Sequence, residues 1–465
     1  MAKRRGAWET AHGQAKHDGH LRHPSRRKNL RSSALRATSA LPSTLVLRAA
    51  LAGLLAPLCA SAAPLTLEDA VRLAVERNER ARIATERTTA ASARVDRARS
   101  TFFPDVTASG TYTRQPGTEF RSPNELASSA TLQLTLFDAR AFPLYRAALR
   151  DAEATALDSE DQRRLISFEA ADAYLLSLGT QQVSEAAKRR QALAQRSREE
   201  AEVRFRAGLV SSNDVTRATL ESATADQAAT RAAGDAQSAL LQLAYVVGTP
   251  VETPLAGVEG VLPESVEVRL EVEALERRAA EKRLDLASSV KRVESTEASA
   301  EEPLWRWLPS LSLTGRYARR NTRSVTGLPE DWSVSIGATW FLFDGGERFA
   351  DRAERIALAR IAALTRDATA RRIALDVRSA LVSLEIADAA VRQATVGADI
   401  ARKNAGETEV LYRQGLARAI EVADANVRLF EAEVALARER YARGQAWLGL
   451  RAALGQDPLG RERHP

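Results

Sequence analysis

Phe205-Arg206-Ala207-Gly208-Leu209-Val210-Ser211-Ser212-Asn213-Asp214-Val215 is answered 207 residues later by Tyr412-Arg413-Gln414-Gly415-Leu416-Ala417-Arg418-Ala419-Ile420-Glu421-Val422. Each run sets an aromatic residue and an arginine before a glycine-leucine pair and then opens a new amphipathic stretch. Glycine supplies the left-handed backbone that closes a helix, and Ser212 or Asn213 is placed to cap the next one. The echo continues outward: Leu136-Phe137-Asp138 recurs as Leu342-Phe343-Asp344, Phe103-Pro104-Asp105-Val106 as Leu308-Pro309-Ser310-Leu311, and Gly248 as Gly455, at offsets of 205 to 207 residues. A unit of roughly 200 residues is duplicated, and one fold must satisfy both copies.

Upstream of each glycine turn, residues 139–206 and 346–413 are nearly free of Gly and Pro after their first turns. As helices at 1.5 Å per residue each reaches about 100 Å, against about 30 Å for a globular domain. In the second, Ile373, Val377, Ala380, Leu384, Ala387, Val391, Ala394, Ala398, Ala401 and Ala405 keep an unbroken 4-3-4-3 spacing, a coiled-coil seam whose alanines permit close helix approach. Return helices are predicted over 213–247 and 420–454. Near the start, Leu67, Ala70, Val71, Ala74 and Val75 recur at helical spacing behind Thr66, an N-cap with Asp69 three residues on. This predicts one helix from Leu65 to about Ser100, ended by Phe102-Phe103-Pro104.

Between the first helix and the long one the period changes to two. Val106, Ala108, Gly110 and Tyr112 alternate with hydroxyl residues, as do Leu132, Leu134 and Leu136 with Thr131, Gln133 and Thr135. The second copy repeats the pattern with Leu311, Leu313, Gly315 and Tyr317, then with Trp332, Val334, Ile336, Ala338, Trp340 and Leu342. These are four strands in two hairpins with one apolar face; the other carries hydroxyls, an amide and the guanidinium of Arg316. A half-buried sheet on a soluble core is one reading. The other is a membrane barrel, favoured by strand lengths near those that cross a bilayer when tilted and by aromatics at the strand ends. Phe102, Phe103, Trp305, Trp307, Phe341 and Phe343 lie toward the helices, and Tyr112, Tyr317 and Trp332 toward the loops. The smallest membrane barrels need about eight strands, so several chains must contribute; two would supply eight and three would supply twelve.

The chain thus divides into a leader over 1–62, a first repeat over 63–248 with its hairpin at 105–137, a linker over 249–265, a second repeat over 266–456 with its hairpin at 310–343, and a tail over 457–465. The pI near 9.7 comes from the leader: residues 1–62 hold 11 Lys+Arg and 2 Asp+Glu, leaving 56 basic against 58 acidic residues. That balance removes the case for nucleic acid as a partner. Residues 45–58 form an apolar stretch, too short to span a bilayer, between a basic region and the small-x-small pattern Ala60-Ser61-Ala62. This predicts a secretory signal cut after Ala62; Leu58 is bulky where a lipidated Cys59 wants a small neighbour, and Ser25-Arg26-Arg27 is not promptly followed by an apolar segment. Cys59 is the single cysteine, and His12, His17, His20, His23 and His464 all lie in the leader or the extreme tail. The body holds no thiol, no interior imidazole and no soft metal ligand. No catalytic residue, metal site or cofactor is therefore assigned, and the chain is not expected to be an enzyme.

At these residues the chain resembles the TolC-like outer-membrane efflux protein family over essentially all of 65–456, through the duplicated order of helix, hairpin, long helix and return helix and the paired turn motifs. The resemblance implies a mainly α fold with a membrane β-barrel portion: a homotrimer whose four strands per chain complete a twelve-stranded barrel in outer-membrane lipid, continued into the periplasm by a twelve-helix α-barrel. It implies an exit duct for tripartite efflux or type I secretion, served by a periplasmic adaptor and an inner-membrane pump. Gly208, Leu209, Val210 and Ser211, with Gly415, Leu416 and Ala417, match adaptor-docking tips. Tyr412 and Asp214 match residues that latch neighbouring coiled coils, and Glu421 and Asp424 match acidic rings at the entrance. Ala417 stands where the best-known member has a latch arginine, with Arg418 one place later and so about 100° around a helix. The alternative class is a periplasmic coiled-coil scaffold that conducts nothing.

Overall fold

The computed structural model describes residues 64–116, 124–252, 254–257, 271–321 and 329–460. The leader with its cleavage site and Cys59, linker residues 258–265 and the end of the tail lie outside the described residues. Along the chain run α1 (Leu67–Arg77), α2 (Glu79–Ser100), β1 (Asp105–Arg114), β2 (Asn124–Phe137), α3 (Ala141–Arg206), α4 (Ser212–Val247), α5 (Val272–Lys282), α6 (Leu284–Trp305), β3 (Ser310–Arg320), β4 (Glu330–Thr339), α7 (Glu347–Arg413) and α8 (Ala419–Ala453). The order repeats once. The two long helices hold 66 and 67 residues, so each reaches about 100 Å. Every member of the predicted seam from Ile373 to Ala405 is buried or half-buried. No described helix is long and apolar enough to cross a membrane.

The single helix expected over 65–100 is two. Thr66 caps α1 as expected, its hydroxyl accepting from the Asp69 amide at 3.1 Å, but Asn78 then turns extended. Asn78 is buried; its Oδ1 accepts from the Arg80 amide at 2.9 Å, and its Nδ2 donates to the Val246 carbonyl at 2.9 Å. One amide side chain thus restarts a helix and ties it to the end of α4, satisfying donors that a break would otherwise orphan. The second copy breaks at Arg283, whose guanidinium reaches Asp285 and Asp376 at 2.7 and 2.9 Å. A left-handed glycine presses on each break. Gly248 (φ +74) closes α4 against Arg77, and Gly455 (φ +70) follows α8 against Lys282 and Arg283, where an added Cβ would sit 3.1 Å from backbone.

The largest core lies beside this break. Leu67, Ala70, Val71 and Ala74 of α1 pack with Ile166, Ala170, Ala171 and Tyr174 of α3 and with Leu243, Val246 and Val247 of α4. The Tyr174 hydroxyl lies 2.7 Å from the Leu65 carbonyl and 2.6 Å from that of Ala256. Burial pushes this phenol up to about 12, so it remains a neutral donor between two chain segments.

The hairpins join into one antiparallel sheet of order β1-β2-β3-β4. Its register sets Leu134, Leu313 and Ile336 in one cross-strand row, with Leu132, Gly315 and Val334 in the next of the same face. Gln133, Thr314 and Ser335 form a row on the opposite face. The apolar face is bare: Val106, Val334, Ile336 and Trp332 are 65 to 75% exposed. Both expected aromatic groups are exposed as well, and Tyr317 and Trp332 sit directly opposite each other. β4 stops at Thr339, short of the predicted Leu342, because its last partner is Ser310 and the chain then turns through Gly345 and Gly346, both at positive φ.

Where strands give way to helices, arginines are paired. Arg140 grips Asp138 with two bonds of 2.9 and 2.8 Å. Arg348 is buried, donates to Asp344 at 2.7 Å and to the Phe341 carbonyl at 2.9 Å, and stacks 4.1 Å from the Trp307 ring. These arginines hold the Asp138 and Asp344 carboxyls below the usual range. Buried Glu302 receives Arg306 at 2.9 Å and Arg355 at 3.1 Å.

The register generates a test. Ile336→Arg places a charge on the apolar face and should cost about 2 to 4 kcal/mol in a bilayer, whereas Ser335→Arg on the opposite face should cost little. Heat-modifiability of the purified protein and urea midpoints in lipid read the difference; equal damage at both positions would mean the sheet is covered on both faces.

Candidate functional site: the paired helix-turn tips

The two glycine turns are built alike. Gly208 and Gly415 both have φ +77. Gly208 donates to the Phe205 carbonyl at 2.9 Å and Leu209 to Arg204 at 2.9 Å; in the second copy Gly415 donates to Tyr412 at 3.0 Å and Leu416 to Leu411 at 2.9 Å. The pairing of a bond from three residues back with one from five back is the Schellman closure. Leu209 and Leu416, just beyond, are 75 and 73% exposed, so each tip presents a bare leucine over a glycine with nothing within 4 Å of its Cβ position.

The cap of α4 falls just before the two expected positions, Ser212 and Asn213. Ser211 is the N-cap: its hydroxyl accepts from the Asp214 amide at 3.4 Å, and the Asp214 carboxylate accepts from the Ser211 amide at 3.0 Å and its hydroxyl at 2.8 Å. Ser211 and Asp214 form a capping box, and the Ser211 bonds hold the Asp214 carboxyl below the usual range. In the second copy Arg418 occupies the cap and Glu421 the third position, with the Arg418 amide donating to Glu421 at 3.1 Å. Arginine has no acceptor, so only half of the box is made. The Arg418 side chain turns back toward Glu421 at 3.5 Å and is otherwise exposed.

Asp214 and Tyr412 come together from different copies. Both line a small groove, with Ala194, Ala201, Ala218 and Ala423 among its walls. Among the described residues no hydrogen bond joins the two; the Tyr412 ring instead lies 4.4 Å from the guanidinium of Arg204 on α3. Two heptads back along α3, Arg190 bonds Glu221 of α4 at 2.8 Å and faces the Phe430 ring of α8 at 5.1 Å, while Arg189 reaches Glu433 of α8 at 2.8 Å. Arg189, Arg190 and Arg204 therefore stitch one coiled coil to the other. The sequence singled out none of them, since arginine on a helix reads first as solvated surface; the 14-residue spacing of Arg190 and Arg204 around Ala194 and Ala201 marks a shared face but not the partners in the other copy. Glu421 and Asp424 are exposed on the first turns of α8, and Asp424 pairs with Arg428 at 2.9 Å. Gly208 to Ser211 and Gly415 to Ala417 form the two turns themselves.

Comparison with known proteins is consistent with this geometry. A protein family described as outer membrane efflux protein matches residues 70–249 and 275–456. Among solved structures, a membrane protein from Pseudomonas aeruginosa is 21% identical with a TM-score of 0.71, over 84% of this chain and 92% of that one. The Campylobacter jejuni CmeC outer membrane channel is 18% identical with a TM-score of 0.71, over 84% and 85%, and CusC is 16% identical with a TM-score of 0.72, over 84% and 92%. No curated protein matches.

Two outcomes test the tip. Ser211→Ala should lower hydrogen-exchange protection of residues 212–216 about fivefold. The wild-type advantage should be full above the unfolded-chain aspartate pKa and vanish as pH falls through the depressed Asp214 value. Tyr412→Phe keeps the aromatic face for Arg204 and should leave exchange at the tips unchanged, whereas Tyr412→Leu should raise it in both turns.

Proposed function

The chain belongs to the outer membrane efflux protein family, and from that premise we propose that it is the outer-membrane duct of a tripartite efflux or type I secretion system, conducting solutes passively from a periplasmic adaptor and inner-membrane pump to the exterior. The observation that carries the reading is the four-stranded sheet with an exposed apolar face and, among the described residues, two unpaired edges. In hydrocarbon every backbone donor and acceptor must be paired, and only a closed barrel does this with strands. Three copies close it with twelve strands, and their long helices continue the passage into the periplasm.

The tips are the adaptor-docking surface. Gly208 and Gly415 permit close approach, and bare Leu209 and Leu416 offer apolar anchors at low ordering cost. Tyr412, Asp214, Arg418, Glu421 and Asp424 form the entrance. Arg204 stacking on Tyr412 restrains it, and the Glu421 and Asp424 carboxylates ring it, each compensated by an arginine of its own helix. Replacing both carboxylates with Gln and Asn then leaves Arg418 and Arg428 unopposed.

Reconstitution into planar bilayers tests the duct directly: discrete conductance steps are expected, and a soluble periplasmic protein without heat-modifiable oligomers would instead identify a scaffold. In such bilayers the Glu421→Gln, Asp424→Asn double variant should shift permeability toward anions; an unchanged reversal potential would return both residues to ordinary surface charge. Leu209→Asp with Leu416→Asp should leave oligomers intact and abolish copurification with the adaptor.

A further inference from the structure

Among the described residues Arg316 is the one cation in the middle of the sheet. On β3 its register partners are Thr131 on β2 and Ser333 on β4, and Thr107 of β1 lies across from Thr131, so its row is Thr107, Thr131, Arg316 and Ser333. The row is all hydroxyl but for the guanidinium. Tyr317 and Gly315 on either side face the other way, in the rows of Trp332 and Val334, so Arg316 stands on the face opposite the bare apolar one. It is exposed, and among the described residues no salt bridge or hydrogen bond engages its side chain. Arg140, Arg306 and Arg348 at the base of the strands are all paired, and Arg319 near the loops, on the apolar face, reaches Glu330 at 3.8 Å. The polar-face carboxylates lie at other levels: Asp105 in the row of Gln133, Asp331 opposite Ala318, and Glu125 opposite Thr113.

We propose that Arg316, repeated by each copy around the closed barrel, forms a cationic ring inside the lumen that binds anionic solutes in transit, phosphate- or carboxylate-bearing ones above all. The inference rests on the barrel reading and adds a selectivity element to it. Twelve strands about 4.8 Å apart and tilted about 40° enclose a backbone cylinder of radius about 12 Å. An extended arginine reaches on the order of 6 Å inward, which leaves each guanidinium about 6 Å from the axis, inside a Debye length of about 10 Å at 0.1 M salt. The three fields therefore overlap on the axis, and a multivalent anion there meets all three. Hydroxyl neighbours supply donors to its oxygens without neutralising the arginine. A guanidinium fork matches phosphate and carboxylate geometry, so the ring distinguishes such anions from chloride by more than charge.

Single channels of the full-length protein in planar bilayers test this, with inorganic tripolyphosphate as the probe, added to each side in turn. Wild type should be blocked in a voltage-dependent manner. Arg316→Gln should raise the half-blocking concentration by at least about tenfold, since the probe loses a charge-assisted bond from each of three copies. Arg316→Lys should keep the charge and recover part of the block. Arg319→Gln, on the lipid-facing side, should block as wild type does. Equal block of wild type and Arg316→Gln, or no block of either, overturns the ring while the conductance steps themselves keep the duct. A wild type that yields no steps and no heat-modifiable oligomer sinks the barrel, and the ring with it.

Discussion

The unpaired edges of the sheet govern everything else in this chain. β1 and β4 each present a full row of backbone donors and acceptors on one side, while one face of the same sheet is bare Val, Ile, Leu and Trp. Water would satisfy the edges but not the face, and lipid the face but not the edges. A single chain has no state that satisfies both. In the barrel proposed above, closure with further copies would satisfy both, because each β4 then meets a β1 and the apolar face turns outward, so oligomerisation and membrane insertion become one requirement.

That requirement sets demands on the helices. The long, regular α3 and α7 run on from the sheet, and the change from sheet to helix falls where Arg140, Arg306 and Arg348 are fixed by Asp138, Glu302 and Asp344. Pairs of this kind, partly desolvated and multiply bonded, hold direction better than exposed ones. Away from the sheet, the helices before each hairpin break at Asn78 and Arg283, where Gly248 and Gly455 bring the ends of the return helices against the breaks. The two halves of the duplication use different side chains for the same purpose: an amide that caps a helix and binds a carbonyl, and a guanidinium that binds two carboxylates.

The periodic parts of the fold were legible in the sequence because burial enforces them. The seam from Ile373 to Ala405, the alternation of β1 to β4 and the glycine turns at 208 and 415 all came through, each being a pattern that solvent or lipid would punish if broken. The break at Asn78 was not legible, since Asn inside a run of helix formers reads as a weak position and its partner, the Val246 carbonyl, is 168 residues away. The cap at Ser211 was missed by one residue because Ser211, Ser212 and Asn213 are all good caps and only the reciprocal Asp214 bond chooses among them. The tip stitching was missed for a different reason: Arg204 and Tyr412 belong to different copies, and no periodicity links residues across the repeat. At the tips the turn residues were identified correctly by motif, but their bonding partners were not.

The duplicated tips also differ in how firmly the helix after each one starts. In the first copy Ser211 and Asp214 cap each other fully, so the start of α4 has its orphan amides satisfied by its own side chains. In the second, the Arg418 side chain has no acceptor, and among the described residues the Glu421 amide bonds only the Arg418 carbonyl, at 3.0 Å. The first turn of α8 is therefore the less firmly held of the two. What restrains the second-copy tip comes from the other copy: Arg204 of α3 covering the Tyr412 ring. Arg204 and Tyr412 are both half-buried, so their cation-π contact contributes about 1 to 2 kcal/mol. On the reading proposed above, in which the tips frame the entrance, the second-copy tip is the one whose hold depends on a contact from the other copy.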